Sequence, residues 1–315
     1  MKRIALIGEG MIELSGAPFG PLQQTYGGDT INTAVYLARL ASGSFAVHYA
    51  SALGTDSLSD LVLLKWQAEG VDTECVLRDS TRTPGLYWIQ IDERGERSFL
   101  YWRSHSAARY LLQHVDYGMV QRSLGCCHAI YLSGISLAIL PPHDRGRLIE
   151  QLVDLASRGV QILFDTNYRD ALWSIKEALG AIAQLLPAVR IMLTSFEDEQ
   201  CLTGDKTVTA IARRLHGHGV TRVVVRAGVE GCWLCEQESG GDRVVHIPTQ
   251  AAYSVVDTTA AGDSFNAAFI AAWLNDQPLV QCCRAGNALA GTVIQYRGAI
   301  IPGAATPSLA ALLER

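Results

Sequence analysis

Short apolar runs alternate with longer amphipathic ones over most of the chain. RIALIG, FAVHYASALG, HAIYLSG, VQILFDTN, RIMLTS and TRVVVRAG are apolar or β-branched and end in Gly, Asp, Asn or Ser. Runs of this kind read as strands buried on both faces. Between them, DTINTAVYLARLAS, DSLSDLVLLKWQAEG, HDRGRLIEQLVDLASRG and TVTAIARRLHGHG carry apolar residues at helical spacing, each predicting one buried stripe. Strand, helix, strand in that order predicts an α/β protein with a mostly parallel central sheet covered on both faces. Ligands in such sheets bind beyond the carboxyl ends of the strands, so the residues that follow each strand carry the functional signal.

Two segments break the alternation. Residues 10–26, GMIELSGAPFGPLQQTY, and residues 80–103, STRTPGLYWIQIDERGERSFLYWR, repeat with a strand-like period of two. The second predicts a hairpin with arms GLYWIQI and SFLYWR around a DERGER turn. A hairpin inserted into an α/β chain packs as a flap over the carboxyl edge, and its apolar face suits contact between copies. The expected organisation is a core of residues 1–9, 27–79 and 104–315 with a small β lid of residues 10–26 and 80–103, through which a homo-oligomer forms.

Composition narrows the partners. The 315 residues are 49% hydrophobic and 18% charged, ordinary for a globular chain. A net charge of -5 gives no attraction for nucleic acid or anionic lipid, so an anionic ligand needs a local basic cluster. MKRIALIGEG has too few apolar residues before Gly8 for a signal segment, and no run reaches membrane-spanning length; the expected compartment is the cytoplasm. Cys232 and Cys235 form a C-x-x-C within a strand pattern. Strand residues three apart face opposite sides, so these read as buried thiols, not chelators.

The chemistry concentrates in DTTAAGDSFNAAFIAAWL, residues 257–274. Ala260, Ala261 and Gly262 leave the backbone bare, and Asp263 opens a helical pattern. Bare amides at a helix N-terminus form an anion site. Asp263 is either a plain helix cap or a catalytic carboxylate beside that cradle, and a cap needs no run of small residues ahead of it. A base beside an anion cradle suits transfer of a terminal phosphoryl group to a hydroxyl. The same helix end is expected to lower the pKa of Asp263.

DTTAAGDSF resembles the second signature of the ribokinase-like, or PfkB, sugar kinases, and YGGDTINTAVYLARL resembles their first through Gly27, Gly28, Asn32 and Ala34. The resemblance runs over nearly the whole chain. It implies a ribokinase-like three-layer α/β/α fold and an ATP-dependent kinase, with Mg²⁺ carried on ATP. Asp263 would be the base, residues 260–263 the anion hole, and Gly28 with its neighbours Asp29 and Asn32 the sugar contacts. GEGMIEL, PGLYWI, YWRSHSAA, FDTNYRDALW and VIQYRGAIIP are most similar to the family's kinases of 2-dehydro-3-deoxy sugar acids. That implies Tyr87, Tyr101, Arg103 and Arg169 as substrate ligands.

Guanidinium forks at the lid and a strand end match a sugar carboxylate; the alternative for each arginine is a surface ion pair. For Tyr87 and Tyr101 it is cross-strand packing. By the same resemblance Ser195, Arg226, Gly228, Gly231, Ala260, Gly262 and Asn287 line the ATP site. Where the family often has Asn-x-x-Glu, this chain has Ser195 and Asp198, which leaves the metal–water network there unassigned. Asp257 and Thr259 either hold a monovalent cation such as K⁺ or fix their own turn. The rival functions are a kinase for a neutral ketose or nucleoside and a non-catalytic sensor on the same fold.

Overall fold

A computed structural model describes residues 1–91, 97–250 and 254–314. The DERGER turn falls largely outside the described residues. Thirteen strands are present among them: β1 (Lys2–Ile7), β2 (Met11–Gly16), β3 (Leu22–Gly27), β4 (Phe45–Gly54), β5 (Val76–Asp79), β6 (Leu86–Ile91), β7 (Arg97–Trp102), β8 (Ala129–Ser133), β9 (Gln161–Asp165), β10 (Val189–Ser195), β11 (Arg222–Arg226), β12 (Cys232–Glu238) and β13 (Gly241–Ile247). Nine of them form one sheet in the order β13-β12-β11-β10-β9-β8-β1-β4-β5. Pairing is parallel from β11 to β5 and antiparallel from β11 through β12 to β13.

The sheet is covered on both faces because its strands are apolar at both parities. Ile4 and Leu6 belong to one core, with the helices Asp29–Ala41, Ala261–Leu274 and Leu279–Val293. Ala5 and Ile7 belong to the other, with the helices Tyr117–Leu124, Pro142–Ser157, Ile175–Leu185 and Val208–Gly217. Cys232 lies in the first core and Cys235 in the second, so the two thiols do face opposite sides. No helix of the described residues is long and apolar enough to cross a membrane.

The remaining four strands form a second sheet, ordered β3-β2-β6-β7. The parallel β2–β6 pair joins the two antiparallel hairpins. The segments that broke the sequence pattern therefore make one small sheet.

Candidate active site

The helix Ala261–Leu274 is buried nearly all round because it is built almost wholly of small and apolar residues. It begins after Ala260, whose φ of 59° turns the chain into the left-handed region without a side-chain cap bond. Asp263 does not open the helix; it is the third residue of the first turn. The Ala261 N–H closes a turn on the Thr258 carbonyl at 3.2 Å. Among the described residues no acceptor within the chain meets the amides of Ala260, Gly262 or Asp263, and those of Gly262 and Asp263 lie in the first turn, where helix donors are unmatched by geometry.

The two motifs meet here. Asn32, in the helix Asp29–Ala41, donates from Nδ2 to Asp263 Oδ2 at 2.9 Å. Its own Oδ1 is buried without a partner. Thr33 Oγ1 bonds the Asp29 carbonyl at 2.9 Å and the Asp263 carbonyl at 3.3 Å. Gly28 precedes that helix at φ 142°, and a Cβ there would collide with the Glu9 carbonyl oxygen. Only glycine accepts that conformation and that approach. Asp29 is held by Asn167 Nδ2 at 2.8 Å, and burial raises its pKa.

Asp263 departs from the expected basicity. Burial, then the negative charge of Asp29, pushes its carboxyl up to about 8, against the opposing bond from Asn32. Asp165 adds to the rise and Arg226 opposes it. Desolvation and two nearby carboxylates outweigh the helix end.

The substrate candidates separate. Tyr87 is buried with its hydroxyl on the Glu13 carboxylate, and its ring centroid lies 5.9 Å from that of the half-exposed Tyr101. Arg103 is turned onto Glu9, with Nε 2.8 Å from Oε2 and Nη2 on the same oxygen. Arg169 is exposed, bonds the Tyr168 carbonyl at 2.8 Å, and makes no ion pair among the described residues.

Among the residues expected at the nucleotide, Gly228 (φ 52°) and Gly231 (φ 91°) form the tight turn between β11 and β12. Asn287 lines a cleft of about 280 Å³ with Ile247, Pro248, Thr249, Arg284 and Gln295. Ser195 Oγ caps the helix Phe196–Thr203 by accepting from the Asp198 N–H at 3.0 Å. Burial, then Asp165, raises Asp198 to about 6. Arg226, expected at the ATP site, bonds Asp165, Asn266 and the Gly262 carbonyl.

Asp257 Oδ1 accepts from the Thr259 N–H and hydroxyl, as in a local turn, and Oδ2 accepts from the distant Gly298 N–H. The described residues contain no cluster of three metal-ligating side chains.

A family model for pfkB family carbohydrate kinases matches residues 1–306. The chain belongs to the PfkB family. It is similar to the 2-dehydro-3-deoxygluconokinase of Haemophilus influenzae, at 52% identity over 96% of both chains. A relative of the same name from Dickeya dadantii is 43% identical over 98% of this chain and 99% of its own. The solved fructokinase of Xylella fastidiosa with bound ATP shares the fold, with a TM-score of 0.82 at 22% identity over 99% of this chain and 97% of that one. PfkB kinases use ATP with Mg²⁺.

Several members of this PfkB site carried no sequence assignment: Glu9, Glu13, Asp165, Asn167 and Asn266. Asp165 ends β9 and Asn167 lies just after it, where the strand-end rule points. Asn266 stands out as the amide in an otherwise small and apolar helix.

Proposed function

We propose that the chain transfers the γ-phosphoryl group of ATP to 2-dehydro-3-deoxy-D-gluconate, giving 2-dehydro-3-deoxy-6-phosphogluconate. The observation that carries the chemistry is Asp263, held by Asn32 at the first turn of the helix Ala261–Leu274. The names of the relatives at 52% and 43% identity support the choice of sugar.

Asn32 orients Asp263, and Asp263 receives the hydroxyl proton as the phosphoryl group moves. The amides of Gly262 and Asp263 stabilise the charge on that group. When bound, Mg²⁺ neutralises the phosphates; Asp198, raised to about 6 by burial beside Asp165, is a carboxylate that such a cation would relieve. K⁺ at Asp257 is not carried into the proposal, because both oxygens of that carboxylate already accept bonds, from Thr259 and from the Gly298 N–H.

Arg169, exposed and without a carboxylate partner among the described residues, is assigned to the sugar's carboxylate. Arg103 is assigned to the wall of the sugar site, since Glu9 takes two of its donors. The small sheet is assigned as a lid and as the contact between two copies. ADP release across sugar acids and neutral ketoses tests the substrate. The sugar acid should be preferred, and Arg169→Ala should raise its KM about tenfold or more while leaving that for ATP within about threefold. Preference for a neutral ketose would favour the rival kinase, to which the Glu9–Arg103 pair lends support.

A further inference from the structure

We infer that Arg226 is a positioning residue that holds the phosphoryl-transfer cradle through the Gly262 carbonyl, and is not a ligand of ATP. This rests on the reading of the Gly262–Asp263 turn as that cradle. The side chain leaves the end of β11 and is only 13% exposed. Nη1 donates to the Gly262 carbonyl at 3.2 Å and to Asn266 Oδ1 at 2.7 Å, and Nη2 donates to Asp165 Oδ1 at 2.8 Å. Asn266 Nδ2 closes the ring on Asp165 Oδ2 at 2.7 Å and on the Tyr131 hydroxyl at 2.9 Å.

The Gly262 carbonyl and the Asp263 N–H are opposite ends of one planar trans peptide. A guanidinium fixed on the oxygen therefore fixes where that amide points. A bare residue eases the approach: a Cβ on Gly262 would lie in tight contact, 3.2 Å from Nη1. Two further atoms, Asn266 Oδ1 and Asp165 Oδ1, hold the guanidinium, so the cradle is braced against β9 and β11 and not merely touched.

Stability does not explain the arrangement. A buried ion pair roughly breaks even against an apolar replacement. A cation at a helix N-terminus also faces the unfavourable end of the dipole. Beside an incoming phosphate, both features become assets: the positive field is already in place, and the amides need no reorganisation during transfer.

The test is Arg226→Lys, which keeps the charge and loses the fork. At saturating substrates kcat should fall about tenfold or more, while the dissociation constant for ADP stays within about threefold. A tenfold loss of ADP affinity with kcat retained would show direct nucleotide contact. An unchanged kcat with only a lower melting temperature would reduce the residue to a structural one. If the lysine variant does not fold, Asn266→Ser removes one anchor, keeps the Asp165 pair and carries the same expectation. Rates are taken relative to the parent enzyme on whichever sugar it phosphorylates, so a wrong sugar assignment leaves this test intact.

Discussion

At Asp263 two influences on one carboxylate oppose each other. The helix N-terminus favours the charged form; burial, Asp29 and Asp165 favour the neutral one and raise the group to about 8. The helix end is visible in DTTAAGD, but the two carboxylates arrive from distant segments, so the sequence pattern suggested the opposite sign. The pH profile of kcat/KM should rise through a limb near 8, as the base form of the free enzyme is populated. In the unliganded enzyme the folded state retains this proton after the unfolded chain has lost it. Its contribution to stability therefore falls as pH rises from 3.8 to about 8. Asp263→Asn should lower kcat about a hundredfold or more and erase the limb, with ADP affinity nearly unchanged by titration. The surroundings of Arg226 were hidden for a related reason. The family resemblance placed it near ATP, but its bonds to Asp165 and Asn266 join segments far apart in the chain, and only the fold brings them together.

Among the elements, the alternating strands and helices were legible because burial on both faces leaves continuous apolar runs. The hairpin strand β13 was not: GDRVVHI is exposed along most of its length and carries no run to detect. Gly28 was legible as a motif, but its physical need was hidden until β1's exit came against it. Gly28→Ala forces a side chain onto φ 142° and onto the Glu9 carbonyl. It should lower stability by about 1–3 kcal/mol in a urea titration. It should also raise the sugar KM, since it shifts the start of the helix that carries Asn32.

For the whole molecule, the small sheet ends in an edge strand. Phe99, Leu100, Tyr101 and Trp102 are 42%, 42%, 50% and 56% exposed, so both faces of β7 stand open in a single chain. Exposed apolar edges invite pairing with another chain. Light scattering should find the parent protein as an oligomer and Leu100→Lys/Trp102→Glu as a monomer; a monomeric parent protein would remove the lid contact. A different long-range feature is the bond between Asn32 and Asp263, which joins positions 231 apart. Chain growth delivers the sugar-side amide early and the acid late, after most of the sheet has been synthesised. If Asp263 is the base proposed above, a nascent or truncated polypeptide that stops short of the late segment should be enzymatically silent, however well its earlier strands have folded. The first turnover is thus a signal that the two ends of the message have been read.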